Sequence, residues 1–357
     1  MRNIKTCFTP LNVYNPYARN VVKIINGLGY DVISLSELFK NPKNLFCCKI
    51  VNLNWFENIN NKKDYYLKTI ILNIIKILKK RIIYTLHNRV PHNKDDEITK
   101  YSKRLMRKLC KDASVIVGLC TETEDVVKEL NPEMLSKIVI IKHPNYIGNY
   151  DLSGKGNLRE KYKIEKEKKV MLFFGAVSPY KNISILIDCF LELRSENFVL
   201  IIAGNPTDTE YSKRIIEKCK DKENIFLDLR YIPDEEVELF YNTADIVALP
   251  YDKTSSLNSG AVYLSFSLKK TVICPNIGTI NDLEDQSFIY SYSYESSEDH
   301  KGMLLSAMIN MKNEVSKRPE ILKEYGEKAF QYVKTVHSNQ LIKDQYDALY
   351  NKLYELK

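Results

Sequence analysis

Two stretches of this sequence pair a turn with a helix start in a way that suits a bound anion. Residues 170–182 read Val-Met-Leu-Phe-Phe-Gly-Ala-Val-Ser-Pro-Tyr-Lys-Asn. An apolar run ends at Gly175, turns through Ser178-Pro179, and feeds an apolar-periodic helix predicted to begin near Asn182. A buried strand, a tight loop and a helix N-terminus in that order form an anion cradle. Lys181 sits beside the positive end of the helix dipole, where a cation is mildly unfavourable. It makes sense there if an anion lies between it and the backbone N–H groups; a solvated loop lysine is the plain alternative. Further on, Leu257-Asn258-Ser259-Gly260 opens a second helix with bare N–H groups and a small hydroxyl. Ser259 alone could be a simple N-cap. Two helix starts on one sheet edge suit a diphosphate. Two more loops follow strands of the same half. Gly204, in Ala203-Gly204-Asn205-Pro206, lets backbone approach a ligand closely, and Arg230, Tyr231 and Ile232 form a short strand-to-helix turn.

The first half offers different chemistry. In Tyr84-Thr-Leu-His-Asn-Arg-Val-Pro-His92 a strand ends near Leu86, so His87, Asn88 and His92 emerge at its carboxyl edge. A histidine there can orient or deprotonate a hydroxyl, though any one of the five histidines, taken alone, is as well read as structural. Asn15, Pro16 and Tyr17 open the first helix in a loop suited to face an acceptor. The net charge of +8 is uneven: residues 1–150 carry 25 Lys and Arg against 13 Asp and Glu, and the rest 28 against 32. Lys100, Lys103, Arg104, Arg107, Lys108 and Lys111 fall at helical spacings with no acid between them, on an arc of about 140°. Lys62, Lys63, Lys68, Lys76, Lys79, Lys80 and Arg81 surround an unusually apolar helix. A solvated face is the ordinary reading of such runs. An anionic membrane surface or a pyrophosphate-linked lipid is the pointed one. Nucleic acid is not expected, because no RNA-binding motif or glycine-rich basic segment accompanies the charge.

These residues need a scaffold, and the hydrophobic pattern supplies one. Apolar runs of strand length alternate with helical periods in both halves, which predicts an α/β chain with two doubly wound, mostly parallel sheets. Ligands of such sheets bind beyond the carboxyl ends of the strands, so an interdomain cleft is the expected site. The 357 residues, 44% of them hydrophobic, suit two domains. The expected division is residues 1–145, a linker over 146–168 rich in Pro, Gly, Asn and charge, residues 169–335, and a C-terminal helix over 336–357 that could return to the first domain. The eight cysteines lie mostly in apolar runs without C-x-x-C spacing, as free thiols in a reducing cytosol would. No secretory leader is expected, since Met1 to Phe8 is short and interrupted by Arg2 and Lys5. The most apolar window, residues 65–78, contains Lys68, Asn73 and Lys76 and is too short to span a bilayer. A cytoplasmic protein, peripheral on the inner face of a membrane, follows as the expectation. No Asp-x-Asp and no His/Cys cluster occurs, so no metal is expected; no G-x-G-x-x-G follows a strand, which argues against a nicotinamide enzyme.

The ordered segments Phe-Phe-Gly…Tyr-Lys-Asn, Leu-Ile-Ile-Ala-Gly-Asn, Asp-Leu-Arg-Tyr-Ile-Pro-Asp-Glu-Glu, Ala-Asp-Ile-Val-Ala-Leu-Pro-Tyr and Asn-Ser-Gly…Lys-Lys-Thr-Val-Ile-Cys-Pro together resemble the family 4, or group 1, glycosyltransferases. The resemblance covers residues 170–290 well and the first half more loosely. It implies the GT-B fold: two Rossmann-like domains, with an acceptor-binding N-terminal domain and a nucleotide-sugar-binding C-terminal one. Carried over, Lys181 matches the family's phosphate-binding lysine after the Gly175 loop, and Asn182, Asn258, Ser259 and Gly260 fall with it on the donor diphosphate. Gly204 and Arg230–Ile232 match the segments along the nucleobase and ribose. His87 matches a histidine near the donor sugar. Ala176 stands where many members have a second, arginine contact. The Glu-x7-Glu positions fall at Ser256 and Leu264, neither acidic, in a subgroup with Asn-Ser-Gly that resembles bacterial envelope-polysaccharide transferases. The implied activity is metal-independent hexosyl transfer, with a nucleotide-diphosphate sugar as co-substrate and no cofactor, to a lipid-linked or surface-polysaccharide acceptor. Retaining and inverting outcomes both stay open. The missing carboxylates leave a second class open as well, a non-catalytic nucleotide-sugar-binding or partner subunit.

Overall fold

Strands with apolar residues at nearly every position must be covered on both faces, and both sheets of this protein are. The computed structural model describes residues 4–11, 15–90, 96–150 and 158–355. These fall into two units: Met1–Pro144 with Thr254–Asn258 and His337–Lys357, and Asn145–Lys253 with Ser259–Val336. Each is taken by itself.

In the first unit six parallel strands, β1 (Ile4–Thr9), β2 (Tyr30–Ile33), β3 (Ile50–Asn54), β4 (Arg81–Leu86), β5 (Val115–Gly118) and β6 (Ile138–Ile140), lie in the order β2-β1-β3-β4-β5-β6. Alternation assigns side chains to opposite cores: Ile82, Tyr84 and Leu86 of β4 join one, and Ile83 joins the other. The second unit repeats the plan with β7 (Lys169–Phe174), β8 (Phe198–Ala203), β9 (Ile225–Asp228), β10 (Ile246–Ala248), β11 (Thr271–Pro275) and β12 (Tyr290–Tyr292), ordered β12-β11-β10-β7-β8-β9. Val170 and Leu172 of β7 enter one core; Met171 and Phe173 enter the other. Burying each such side chain contributes about 1.5–3 kcal/mol. The strand order reverses between β1 and β3 in the first sheet and between β7 and β10 in the second. At such reversals the flanking loops diverge and leave a crevice beyond the strand ends.

Several boundaries have local causes. The second strand stops at Ile33, because Ser34 and Glu37 form a capping box that starts helix Leu35–Lys40. This helix, helix Pro42–Cys47 and the three-residue β12 were too short to carry a period. β10 ends at Ala248, two residues before Pro250, which has no N–H for a ladder. Within the expected linker, Tyr146, Tyr150, Leu158 and Ile164 are buried in a core of the second unit. Helix Asn339–Glu355 belongs to the first unit, where the Tyr350 hydroxyl receives the Asn52 side-chain amide at 2.9 Å and lies 3.3 Å from the Thr6 hydroxyl.

Gly204 is required by packing. Its φ is +145°, and a Cβ there would stand 1.9 Å from the Gly175 carbonyl oxygen. The loops after β7 and β8 run side by side, with Gly175 N–H donating to Ala203 and Val177 N–H to Asn205 at 3.0 and 2.9 Å. Gly204→Ala is therefore expected to cost about 2 kcal/mol or more, read as a lowered chemical-unfolding midpoint. An unchanged midpoint would show that the loops do not need this approach.

Candidate functional site

Lys181 closes a 3₁₀ turn, Pro179–Lys181, at the β7–β10 reversal. Half-buried, it lays its ammonium 3.7 Å from the centroid of the Tyr251 ring and 5.0 Å from that of Tyr180. Cation–π attraction partly replaces the lost water. No carboxylate pairs with Lys181 among the described residues, and burial pushes its pKa down to about 7. A buried cation without a counter-ion is costly unless an anion visits it.

Tyr251 ties this lysine to the second helix start. Its phenol oxygen accepts from the Ser259 hydroxyl at 3.1 Å, while its carbonyl accepts from Tyr294 at 3.2 Å. The Asp252 N–H donates to the Tyr180 carbonyl at 3.1 Å, so the loops after β7 and β10 are joined directly. Ser259 is the N-cap of helix Gly260–Ser267. Its hydroxyl accepts from Val262 N–H, and its own N–H donates to Thr279. The hydroxyl is thus spent on the fold, and the open donors are the N–H groups of Gly260 and Ala261, which make no hydrogen bond among the described residues.

The other expected helix start is closed. The helix begins at Ile183, and the Ser184 N–H donates to the Tyr211 hydroxyl at 3.2 Å. Asn182 is left-handed (φ 53°) and turns its side-chain amide toward His300 Nδ1 at 3.5 Å. Gly175 serves by conformation, with φ +140°. Asn258, one residue before the Ser259 cap, turns its amide toward the His87 carbonyl at 3.4 Å. Of the set expected from the sequence to meet a diphosphate, Lys181 and Gly260 keep open donors, as does the Ala261 amide that the sequence reading left out.

Arg230, expected along the nucleobase, has its guanidinium held by Asp228 at 2.7 Å and by Glu236. Lys161 and Tyr162 also reach Asp228, at 3.1 and 3.2 Å. The turn keeps Ile232 in the core and presents the Tyr231 ring outward. Neither Glu-x7-Glu position supplies an acid: Ser256 lies in the first unit, and Leu264 packs into a core.

In the first unit His87 follows β4 and is buried. Its ring stacks on Trp55 at 3.8 Å between centroids and meets the edge of Tyr17 at 5.0 Å. Burial, with His143 nearby, holds its pKa well below the ordinary value, so the ring is neutral. Asn54 donates its amide to Thr9 and keeps its carbonyl oxygen 3.1 Å from His87 Nε2. That pairing places the proton on Nε2 and the lone pair on Nδ1. Asn88 is half-buried beside it, and His92 lies outside the described residues. Asn15 caps the first helix through Ala18 N–H, Pro16 takes the first helical position, and Tyr17 is buried among the Trp55, His87 and His143 rings. Of the basic stripe, Lys100, Arg104, Arg107 and Lys111 are exposed, while Lys108 is tied to Asp112 at 2.8 Å and Lys103 is half-buried.

Sequence reading missed Tyr251, Tyr211, Trp55 and Asn54. Tyr251 ended a quoted motif but carried no charge to mark it. Asn54-Trp55 stands at the end of β3, and only the strand order reveals that this edge flanks the β1–β3 reversal.

Residues 154–283 match the family described as glycosyl transferases group 1. The chain is 28% identical over 105 residues to the GDP-mannose:glycolipid 4-beta-D-mannosyltransferase of Xanthomonas campestris pv. campestris, covering 29% of this chain and 30% of that protein. It is 28% identical over 109 residues to the lipopolysaccharide 1,2-N-acetylglucosaminetransferase of Salmonella typhimurium, 28% of this chain and 29% of that one. These matches thus span about three-tenths of either relative. The structure of Anabaena HepE in complex with UDP and glucose superposes with a TM-score of 0.72 at 13% identity, covering 98% of this chain and 100% of that one. Residues 154–283, which hold the β7–β10 reversal, thus match the model of the group 1 glycosyl transferases, and the chain has the two-domain GT-B fold.

Proposed function

We propose that the chain transfers a sugar from a nucleotide-diphosphate donor to a glycolipid or lipopolysaccharide-type acceptor. One observation carries this reading: the unpaired, desolvated Lys181 ammonium, coupled through Tyr251 to the open amides of Gly260 and Ala261. In glycosyl transfer negative charge grows on the departing diphosphate, and preorganised donors lower that barrier most. The likeness to relatives that act on a glycolipid and a lipopolysaccharide supports the acceptor class. His87 is proposed to accept the acceptor hydroxyl's proton at Nδ1, a role open to it because its ring is neutral. Transfer without a metal and without a cofactor is part of the proposal.

The test is a panel of nucleotide-diphosphate sugars scored by thermal stabilisation, followed by transfer to extracted glycolipid. A donor at about 100 times its Kd should stabilise by about 2.7 kcal/mol. Stabilisation by no member of the panel would overturn the reading. Nucleotide binding without transfer would instead favour the partner-subunit reading, which the replaced acids at Ser256 and Leu264 support.

A further inference from the structure

We propose that helix Lys62–Ile77 is a membrane-docking element whose outward face enters the headgroup region of an anionic bilayer. The surface includes none of the residues assigned to transfer, and its partner rests on the lipid-linked acceptor proposed above only for its purpose.

The helix is apolar on two opposite sides. Leu72 and Ile75 are fully buried in a core of the first unit. Tyr66, Leu67, Ile70, Ile74 and Ile77 lie on an arc of about 100° turned away from that core, and all five are exposed, Ile77 to 77%. Lys80, just past the helix, donates to the Leu45 carbonyl, which brings Phe46, 84% exposed, to the same end. Isolated exposed apolar residues are ordinary; a row of five on one helix marks an interaction site.

The charge around the row selects the occupant. Helix Asp96–Asp112 packs alongside through the Tyr65–Tyr101 ring pair at 4.9 Å and ion pairs Lys62–Glu97 and Lys76–Asp112 at 2.7 and 2.6 Å. Asp64, Glu97 and Asp112 are each taken up by a lysine. The neighbouring Lys63, Lys79, Lys100, Arg104, Arg107 and Lys111 are exposed and in no ion pair among the described residues. Residues 62–112 as a whole carry fifteen Lys and Arg against five Asp and Glu. An apolar row bordered by cations is complementary to acyl chains below anionic headgroups. A second copy would set like charges against each other, and a nucleic acid has no use for the isoleucines. The charge run read from the sequence on helix Asp96–Asp112 thus borders the docking element instead of forming it. No helix among the described residues is long and apolar enough to cross a membrane, so contact through this face is interfacial.

The test is flotation of the purified chain with vesicles of phosphatidylcholine, with and without about one-third phosphatidylglycerol. The wild type should float with the anionic vesicles only. Ile70→Asp with Ile77→Asp, both at exposed positions, should lower the bound fraction about tenfold or more while leaving stabilisation by nucleotide diphosphate unchanged. Flotation of this variant at the wild-type level would overturn insertion, as would a wild-type dimer that the variant converts to monomer. Failure of the wild type to float, with nucleotide stabilisation intact, would sink the docking surface and leave the transfer reading standing. Flotation without nucleotide stabilisation would do the reverse.

Discussion

Replacing Lys181 with alanine is expected to lower turnover about 10²–10³-fold, the usual cost of removing one preorganised donor from a developing negative charge. Among the described residues no other cation lies over Tyr251, beside the start of helix Gly260–Ser267, as Lys181 does. Folding should survive, because the side chain is half-buried and makes no ion pair among the described residues. The measurement is nucleotide release with acceptor present, and near-wild-type turnover would remove Lys181 from the reaction. The same residue gives binding a pH signature. With a pKa of about 7 in the empty site, Lys181 is mostly neutral at pH 8. A bound diphosphate favours the ammonium and raises that value, so binding takes up a proton. Affinity should rise as pH falls toward about 7, by at most about tenfold per unit, and level off below it. Calorimetry in buffers of different ionisation heat reads the proton directly, and Lys181→Ala should abolish its uptake.

Acid is expected to unfold the first unit well before carboxylate titration would. His87, His143 and His337 are all buried there, and burial holds His143 down to about 3 and His337 to about 4. They form a packed series: His143 lies against Tyr17, which meets His87, and the His337 ring nitrogen is 2.8 Å from the His143 carbonyl. The unfolded chain takes up a proton at each near pH 6.5, whereas the folded chain does not until its depressed pKa is reached. Their contribution is therefore intact above about pH 6.5 and lost as pH falls below it, at up to about 1.4 kcal/mol per unit for each histidine. Glu57 works the other way. Its buried carboxyl is pushed up to about 7, so folding favours its neutral form and gains as pH falls from 7 toward 4.5. Two histidines' worth of slope remains, about 3 kcal/mol per unit. Urea midpoints at pH 7, 6 and 5 should fall steeply, and His337→Gln should flatten the line by about one histidine's share. A flat profile in the wild type would show that these rings are not held neutral by the fold.

The period of the apolar residues determined the sheet class, since a strand buried on both faces has few other sequences open to it. The order of turns after β7, β8, β9 and β10 likewise placed Lys181, Gly204 and Gly260 at one sheet edge, because loops beyond parallel strands must emerge on the same side. What those loops do with their donors lies beyond local pattern. Lys181 and Tyr251 are seventy residues apart in the chain, and Ser184 and Tyr211 are twenty-seven apart. Each pair meets only because β7, β8 and β10 are neighbours, and each reverses a local inference: one helix start is closed by a phenol, and a lysine in a turn becomes a desolvated cation. Likewise the sequence by itself determined that residues 62–80 are apolar and basic. Tertiary structure decided which side of that helix Leu72 and Ile75 would fill, and so which isoleucines were left facing out. Periodicity sets the angle between side chains, and only packing against a particular neighbour sets the direction in which they point.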